Sequence, residues 1–336
     1  MLTASGTHVP GATLVDPAVL ARIGNLEIVA RTVVEGVING LHRSPHLGAS
    51  MDFAEHRAYM PGDDIRRIDW KLFARSDRHY IKEFEAETNT NFTVLLDTSR
   101  SMRYGGEADG SRLSKLAYSR ILAACLTYFS STQRDRVGLV TFDDGIVDFV
   151  PPSAKHLSVV LHTLDRLETT LHPASTALPG RNGATVPQTT RAAPPPARTQ
   201  SLGSVFRRIG ESIRRRSIVL VISDFYEEPQ AVLEALTYLR GKGNDLMVFH
   251  VLDPRELDFS FTESANFVDL ETGERMPIIP EYLRQQYREL VAEHTSTLSK
   301  LLGQNRIDYA LFDTSKPIDQ ALFRYLSSRE SLARVR

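Results

Sequence analysis

The sequence predicts an α/β protein with a doubly wound, mostly parallel sheet flanked by helices, plus a small N-terminal module. Three observations carry this: segments that are apolar from end to end, helical apolar spacing in the segments between them, and the regular alternation of the two. FTVLLD (92–97), RVGLVTF (136–142), SIVLVISD (217–224) and LMVFHVLD (246–253) are the apolar runs. Each is of strand length and is continuous rather than alternating, as in strands covered on both faces.

The elements follow in order. From Asp16 to Arg43, residues Val19, Leu20, Ile23, Leu26, Val29, Val33, Val34 and Val37 recur at helical spacing, so residues 1–45 are expected to be a helical segment. Residues 46–90 mix Gly, Asp, Arg and aromatics around YMPGDDIRRIDW (59–70), with strand-like pieces such as HYIKEFE, and are expected to form a small strand-containing module. Residues 91–330 hold the main domain. In it, 111–132 and HLSVVLHTLDRL are helices, and GIVDFVP is a strand partnering RVGLVTF. SLGSVFRRIGESIRRR reads as a helix whose closing arginines complement the helix dipole, and PQAVLEALTYLRGKG as one closed by Gly241 or Gly243. ELDFSFTESANFVDLETGERMPI predicts a hairpin around its Glu-Thr-Gly turn, Pro280 to Leu302 a long helix, and DYALFDT a last strand. The stretch 173–200 is rich in Pro, Thr and Ala and buries little apolar area, so it is expected to be a flexible insertion.

Composition narrows the function. The 40 basic and 41 acidic residues of this 336-residue chain leave a formal charge of −1, so no global field draws it to nucleic acid or an anionic membrane. The N-terminal residues lack a basic and then apolar leader pattern, and no run of about 18 apolar residues occurs, so no transmembrane segment and a cytoplasmic location are expected. Cys125, the single cysteine, lies in an apolar helical stretch and is expected to be a buried, inert thiol. The ten histidines show no zinc-ligand spacing, and Walker A and GxGxxG patterns are absent.

The stretch most informative for function is LLDTSRSM (95–102), where a buried strand ends and Asp97, Ser99 and Ser101 follow at alternate positions. In an open parallel sheet, ligands collect at the carboxyl ends of the strands. A carboxylate and two hydroxyls at spacing two present hard oxygen donors to a small hard cation. Mg²⁺ suits such a set best, with Mn²⁺ or Ca²⁺ as alternatives. VISD ends the third buried strand in the same way and puts Asp224 at the same rim. Asp and Ser after a strand also serve as turn and N-cap residues. The strand before this loop, the helix after it and the matching Asp224 favour the ion. Asp143 and Asp144, by contrast, stand in a DDG turn signal.

YMPGDDIRRIDW, followed by ARSDRHYIKEFEAETN and LLDTSRSM, resembles the bacterial domain-of-unknown-function 58 proteins, over Gly48 to Phe142 and again over Leu202 to Asp224. The resemblance implies a von Willebrand factor A-like core with a metal-ion-dependent adhesion site. Asp97, Ser99 and Ser101 then come from the first loop, a threonine from the second and Asp224 from the third. At the threonine position stands Gln200, which leaves its neighbours Thr199 and Ser201 as candidates, and Arg100 replaces the glycine commonest between the two serines. The resemblance further implies association with a MoxR-type AAA+ ATPase, in the activation or assembly of client proteins. The expected function is thus a metal-dependent protein–protein interaction module without catalytic activity. The alternatives are a Mg²⁺-dependent phosphoester hydrolase using Asp97 and Asp224, and a structural scaffold with an empty metal site.

Overall fold

The structure, a computed structural model, describes residues 25–42, 56–58, 80–82, 90–106, 112–171 and 200–319. The YMPGDDIRRIDW block, Thr199 and residues 173–199 of the expected insertion lie outside these residues, as do residues 16–24 of the expected N-terminal helix.

The main sheet contains β3 (Asn91–Asp97), β4 (Arg136–Phe142), β5 (Ile146–Ser153), β6 (Ser217–Ser223), β7 (Asp245–Leu252) and β10 (Asp308–Asp313), in the order β10-β7-β6-β3-β4-β5. All neighbours are parallel except β4 and β5. Taken in chain order, the strands stand 6-5-4-1-2-3 across the sheet. Connections therefore run outward in both directions from β3 and β6, and the topological switch point lies between those two strands.

The pleat divides the apolar residues of each strand between two cores. Phe92, Val94 and Leu96 of β3, with Ile218, Leu220 and Ile222 of β6, face α1 (Leu26–His42), α2 (Lys115–Thr132) and α3 (Leu157–Leu171). Leu95, Val219 and Val221 face the other way, toward α4 (Leu202–Ser212), α5 (Pro229–Gly241) and α7 (Pro280–Gln304). The fold class expected from the sequence is the one observed: a mixed α/β protein with a mostly parallel sheet covered by helices on both faces.

Local chemistry sets the element ends. Ser114 caps α2, its hydroxyl accepting the Ala117 amide N–H at 3.2 Å. Gly243 takes the left-handed φ of 86° that ends the α5 turn, and its N–H donates to the Arg240 carbonyl at 2.8 Å. Helix α4 stops at Ser212, earlier than the sequence implied, so Arg214, Arg215 and Arg216 lie in the connection to β6 rather than in a helical last turn. On the β5 edge the register slips between Val137 and Leu139, where Pro151 and Pro152 oppose the single Gly138. Prolines, which cannot donate to the ladder, are tolerated at such an edge bulge.

Beyond β7, α6 (Pro254–Asp258) is followed by the hairpin of β8 (Ala265–Val268) and β9 (Arg275–Ile278), with the Glu-Thr-Gly turn between the strands as expected. In the N-terminal region β1 (His56–Ala58) pairs antiparallel with β2 (Tyr80–Lys82). Among the described residues no helix is long and apolar enough to cross a membrane. Cys125 is fully buried, and that burial pushes its thiol up to about 12.

Candidate functional site

Strand β3 delivers Asp97 to the carboxyl rim of the sheet at the switch point. There the carboxylate is buried and held on both oxygens: Oδ1 accepts the Ser99 N–H at 2.9 Å, and Oδ2 accepts the Ser223 hydroxyl at 2.6 Å. The first bond closes an Asx-type turn, which folds the chain so that residues two apart address the same space. Thr98 anchors the loop sideways, donating to the Phe142 carbonyl of β4 from both its N–H (2.8 Å) and its hydroxyl (3.0 Å). The hydroxyls of Ser99, fully buried, and Ser101 then stand 3.0 Å apart. The backbone N–H of Ser101 donates to Oε1 of Glu271, which the β8–β9 turn carries to the loop, at 2.8 Å.

The 3.0 Å separation bears on metal binding. Adjacent ligands of an octahedral Mg²⁺ at about 2.1 Å lie roughly 3.0 Å from each other. The two hydroxyls share a hydrogen bond here, and the same spacing is an edge of that octahedron. Among the described residues no group of three or more His, Cys, Asp or Glu side chains could hold a metal ion. The oxygen donors at the rim are the Asp97 carboxylate and the Ser99 and Ser101 hydroxyls, hard ligands of the kind Mg²⁺ takes.

Asp224, one residue past the end of β6, has its carboxylate turned to a different partner. In the pleat it shares the parity of Ile222, the α2 side, whereas Asp97 shares that of Leu95. Its Oδ2 accepts from Lys115 Nζ at 2.8 Å, and the same ammonium reaches Glu256 Oε1 at 2.7 Å and the Tyr226 hydroxyl at 3.2 Å. The strand-end side chain that the structure brings to Asp97 is Ser223. Phe225, fully buried, takes a left-handed φ of 39° immediately after Asp224, and its N–H returns to the Ser223 hydroxyl at 3.2 Å. Backbone strain of this kind is tolerated only where the surroundings fix it. Here Ser223 does so from one side, and His294 from the other, its Nε2 lying 2.8 Å from the Phe225 carbonyl.

Behind this rim runs an ionic network. Glu256 Oε2 accepts the Asp253 N–H at 2.8 Å in the capping box of α6, and the Asp253 carboxylate receives Arg112 at 2.8 and 2.9 Å. Burial raises the Glu256 carboxyl above the usual carboxylate range, against the lowering pull of Lys115. His250, buried beside this network with its Nδ1 2.8 Å from the Tyr309 hydroxyl, is pushed down to about 3, first by burial and then by the neighbouring His294. It is neutral at physiological pH.

Of the residues selected from sequence, the structure brings Asp97, Ser99 and Ser101 together, and places Asp224 at the same rim in contact with Lys115. Ser201 is exposed at the N-cap of α4, and its hydroxyl makes no capping bond. Thr199 lies outside the described residues.

Sequence reasoning missed Lys115, Ser223, Glu256 and Glu271. Lys115 left one signal. A cation at the first position of a helix opposes the dipole, which calls for nearby carboxylates. Asp253, Pro254 and Glu256 left another, because that spacing is a capping box.

Three curated mycobacterial proteins match this chain: uncharacterized proteins Rv1480 and MT1527 of Mycobacterium tuberculosis and Mb1516 of Mycobacterium bovis. Each is 25% identical over 290 residues, covering 85% of this chain and 82% of the relative. Among solved structures, BatB from Bacteroides thetaiotaomicron overlaps with 16% identity and a TM-score of 0.40, over 72% of this chain and 99% of that one. An aerotolerance-related membrane protein from Bacteroides fragilis overlaps with 15% identity and a TM-score of 0.40, over 69% and 96%. The profile of the family described as protein of unknown function DUF58 matches residues 55–297, and with that span covered the chain belongs to this family.

Proposed function

We propose that the chain is a metal-dependent protein–protein interaction module that serves as adaptor or partner of a MoxR-type AAA+ ATPase in the activation or assembly of client proteins. The observation that carries the reading is the pair of hydroxyls, Ser99 and Ser101, at the edge length of a Mg²⁺ octahedron beside the oriented carboxylate of Asp97. In this reading Asp97, Ser99 and Ser101 hold the ion. Thr199 and Ser201, from the segment before α4, are its candidate outer donors, while Asp224, whose Oδ2 is held by Lys115, is assigned to it only through water. Bound there, Mg²⁺ supplies a Lewis-acidic position for an acidic side chain of another protein. Asp97 is aimed by its two donors, so its orientation is set before the ion arrives.

Two features support binding rather than bond cleavage. Lys115, the ammonium behind the rim, is already engaged by two carboxylates, and Nδ1 of His250 by the Tyr309 hydroxyl. The hairpin that touches the loop also exposes Val268, Leu270 and Met276, with Ile279 following, as apolar surface suited to a protein partner.

The test is association of the full chain with the MoxR-type AAA+ ATPase of the same organism, in Mg²⁺ and in EDTA, for wild type and Asp97→Ala. The expected result is complex formation by wild type in Mg²⁺, reduced at least tenfold in affinity by EDTA or by the substitution. Equal association under all conditions removes the ion from the interaction.

A further inference from the structure

We propose that a basic cleft at the amino end of the sheet binds an acidic stretch of a partner protein that also carries apolar side chains. The cleft has a volume of about 730 Å³, within the range of ligand sites. Asn91, Arg136 and Ser217, the residues that open β3, β4 and β6, stand along it. Strand β3 runs its seven residues from here to Asp97, about 20 Å away, so a ligand in the cleft uses none of the residues of the Asp97 loop.

The apolar part of the cleft comes from the sheet edge. β5 is an edge strand, and the register pairs its Phe149 with Val140 of β4, whose side chain lies in the core beneath α4. The Phe149 ring is nevertheless 41% exposed, and it lines the cleft together with Pro151 and Pro152. The charge comes from four arginines: Arg136, Arg208 on α4, and Arg214 and Arg215 in the connection to β6. Arg216, next in the chain, is paired with Asp245 at 3.3 Å, whereas none of these four guanidiniums has an ion pair with a described residue. Glu211 is the single acid along the cleft, which leaves it an excess of three positive charges in a chain whose total is −1.

This chemistry selects the occupant. Guanidiniums without partners take carboxylates, and an exposed ring among prolines takes aliphatic or aromatic side chains; arginine and aromatic residues are also the types enriched at protein interfaces. The neutral polar side chains along the cleft are already spent within the chain. Asn91 Nδ2 donates to the Arg216 carbonyl at 3.3 Å, the Ser212 hydroxyl to the Arg208 carbonyl at 3.1 Å, and the Ser217 hydroxyl to the Arg215 carbonyl at 2.9 Å. Little is left to read the edge of a nucleic acid base, and one ring does not make the series of stacking platforms on which a single strand binds. An acidic protein segment needs neither.

The experiment titrates the full chain into three fluorescein-labelled probes and follows anisotropy: a random copolymer of glutamate and tyrosine, polyglutamate, and an oligothymidine. EDTA is present throughout, so that no divalent ion at the Asp97 loop can recruit a carboxylate. Wild type is expected to bind the copolymer at least about fivefold more tightly than either other probe, and to lose at least about tenfold in affinity as salt rises from about 0.05 to 0.5 M. The exposed arginines can be removed together as Arg208→Ala, Arg214→Ala and Arg215→Ala, which is expected to weaken copolymer binding at least about tenfold. Phe149→Ser is expected to weaken it about fivefold while leaving polyglutamate unchanged. Equal binding by wild type and the arginine variant, or binding indifferent to salt, would overturn the site. Oligothymidine bound as tightly as the copolymer would assign the cleft to nucleic acid instead, and polyglutamate bound equally, with Phe149→Ser silent, would reduce it to a site for bare anions. No binding by wild type, but binding after Glu83→Gln, Glu85→Gln and Glu87→Gln, would assign it to the acidic stretch of this chain that precedes Asn91. No binding by either would leave the cleft without a ligand and sink the proposal.

Discussion

Lys115 shows how a side chain can be forced into a role that its own position opposes. An ammonium at the start of a helix loses about 0.3–1 kcal/mol against the dipole. Burial adds to that cost, yet the side chain is wholly enclosed by Asp224, Glu256 and Tyr226. Removing the cation leaves two nearly buried carboxylates without a counter-charge, a loss of about 3–5 kcal/mol that exceeds the relief of the dipole. Lys115→Met is therefore expected to lower the urea-unfolding free energy by about 3 kcal/mol. A change within about 0.5 kcal/mol, the scatter of a neutral surface substitution, would show that the network contributes nothing net. At this scale the sequence was partly legible. Asp97, Ser99 and Ser101 announce themselves because their spacing is local. Ser223 and Glu271 do not, because each reaches the loop only through tertiary structure, 126 and 170 residues from the atoms they bond.

Elements were more readily read than residues, since continuous apolar runs and helical spacing survive in one dimension. The apolar runs expected as strands became β3, β4, β6 and β7, and the hairpin of β8 and β9 formed around its Glu-Thr-Gly turn. Helix α4 ends before the sequence suggests, because three arginines suit a helical last turn whereas the chain turns toward β6 after Ser212. The β4–β5 bulge was also hidden, although its cause lies in plain residues. A Cβ on Gly138 would stand 2.8 Å from the Val150 carbonyl oxygen and 2.9 Å from the Pro152 nitrogen, both of them backbone atoms. Neither can swing aside as a side chain would, so the two strands must part. Gly138→Ala is expected to cost about 1–3 kcal/mol in thermal or urea unfolding, as overpacking does. Wild-type stability in this variant would mean that the edge strand yields freely.

Across the whole molecule, strand order decides where chemistry can occur. The two cores cover both faces of the sheet, and the central strands β3 and β6 are the pair from which the chain winds outward in opposite directions. Their carboxyl ends are where loops separate and leave room for a ligand. The Asp97 loop occupies that place, with Ser223 beside it, the Lys115 network behind it and the Glu271 hairpin across it. Alternation of strand and helix patterns along the chain reveals the class of fold, but the convergence of the β3 loop with the later hairpin depends on the complete sheet. Binding of a divalent ion to the Asp97 loop is tested most directly by calorimetric titration of the full chain with Mg²⁺, wild type beside Asp97→Ala. One ion bound per wild-type chain and none by the folded variant is the predicted result. No binding by wild type, or equal binding by both, would contradict it.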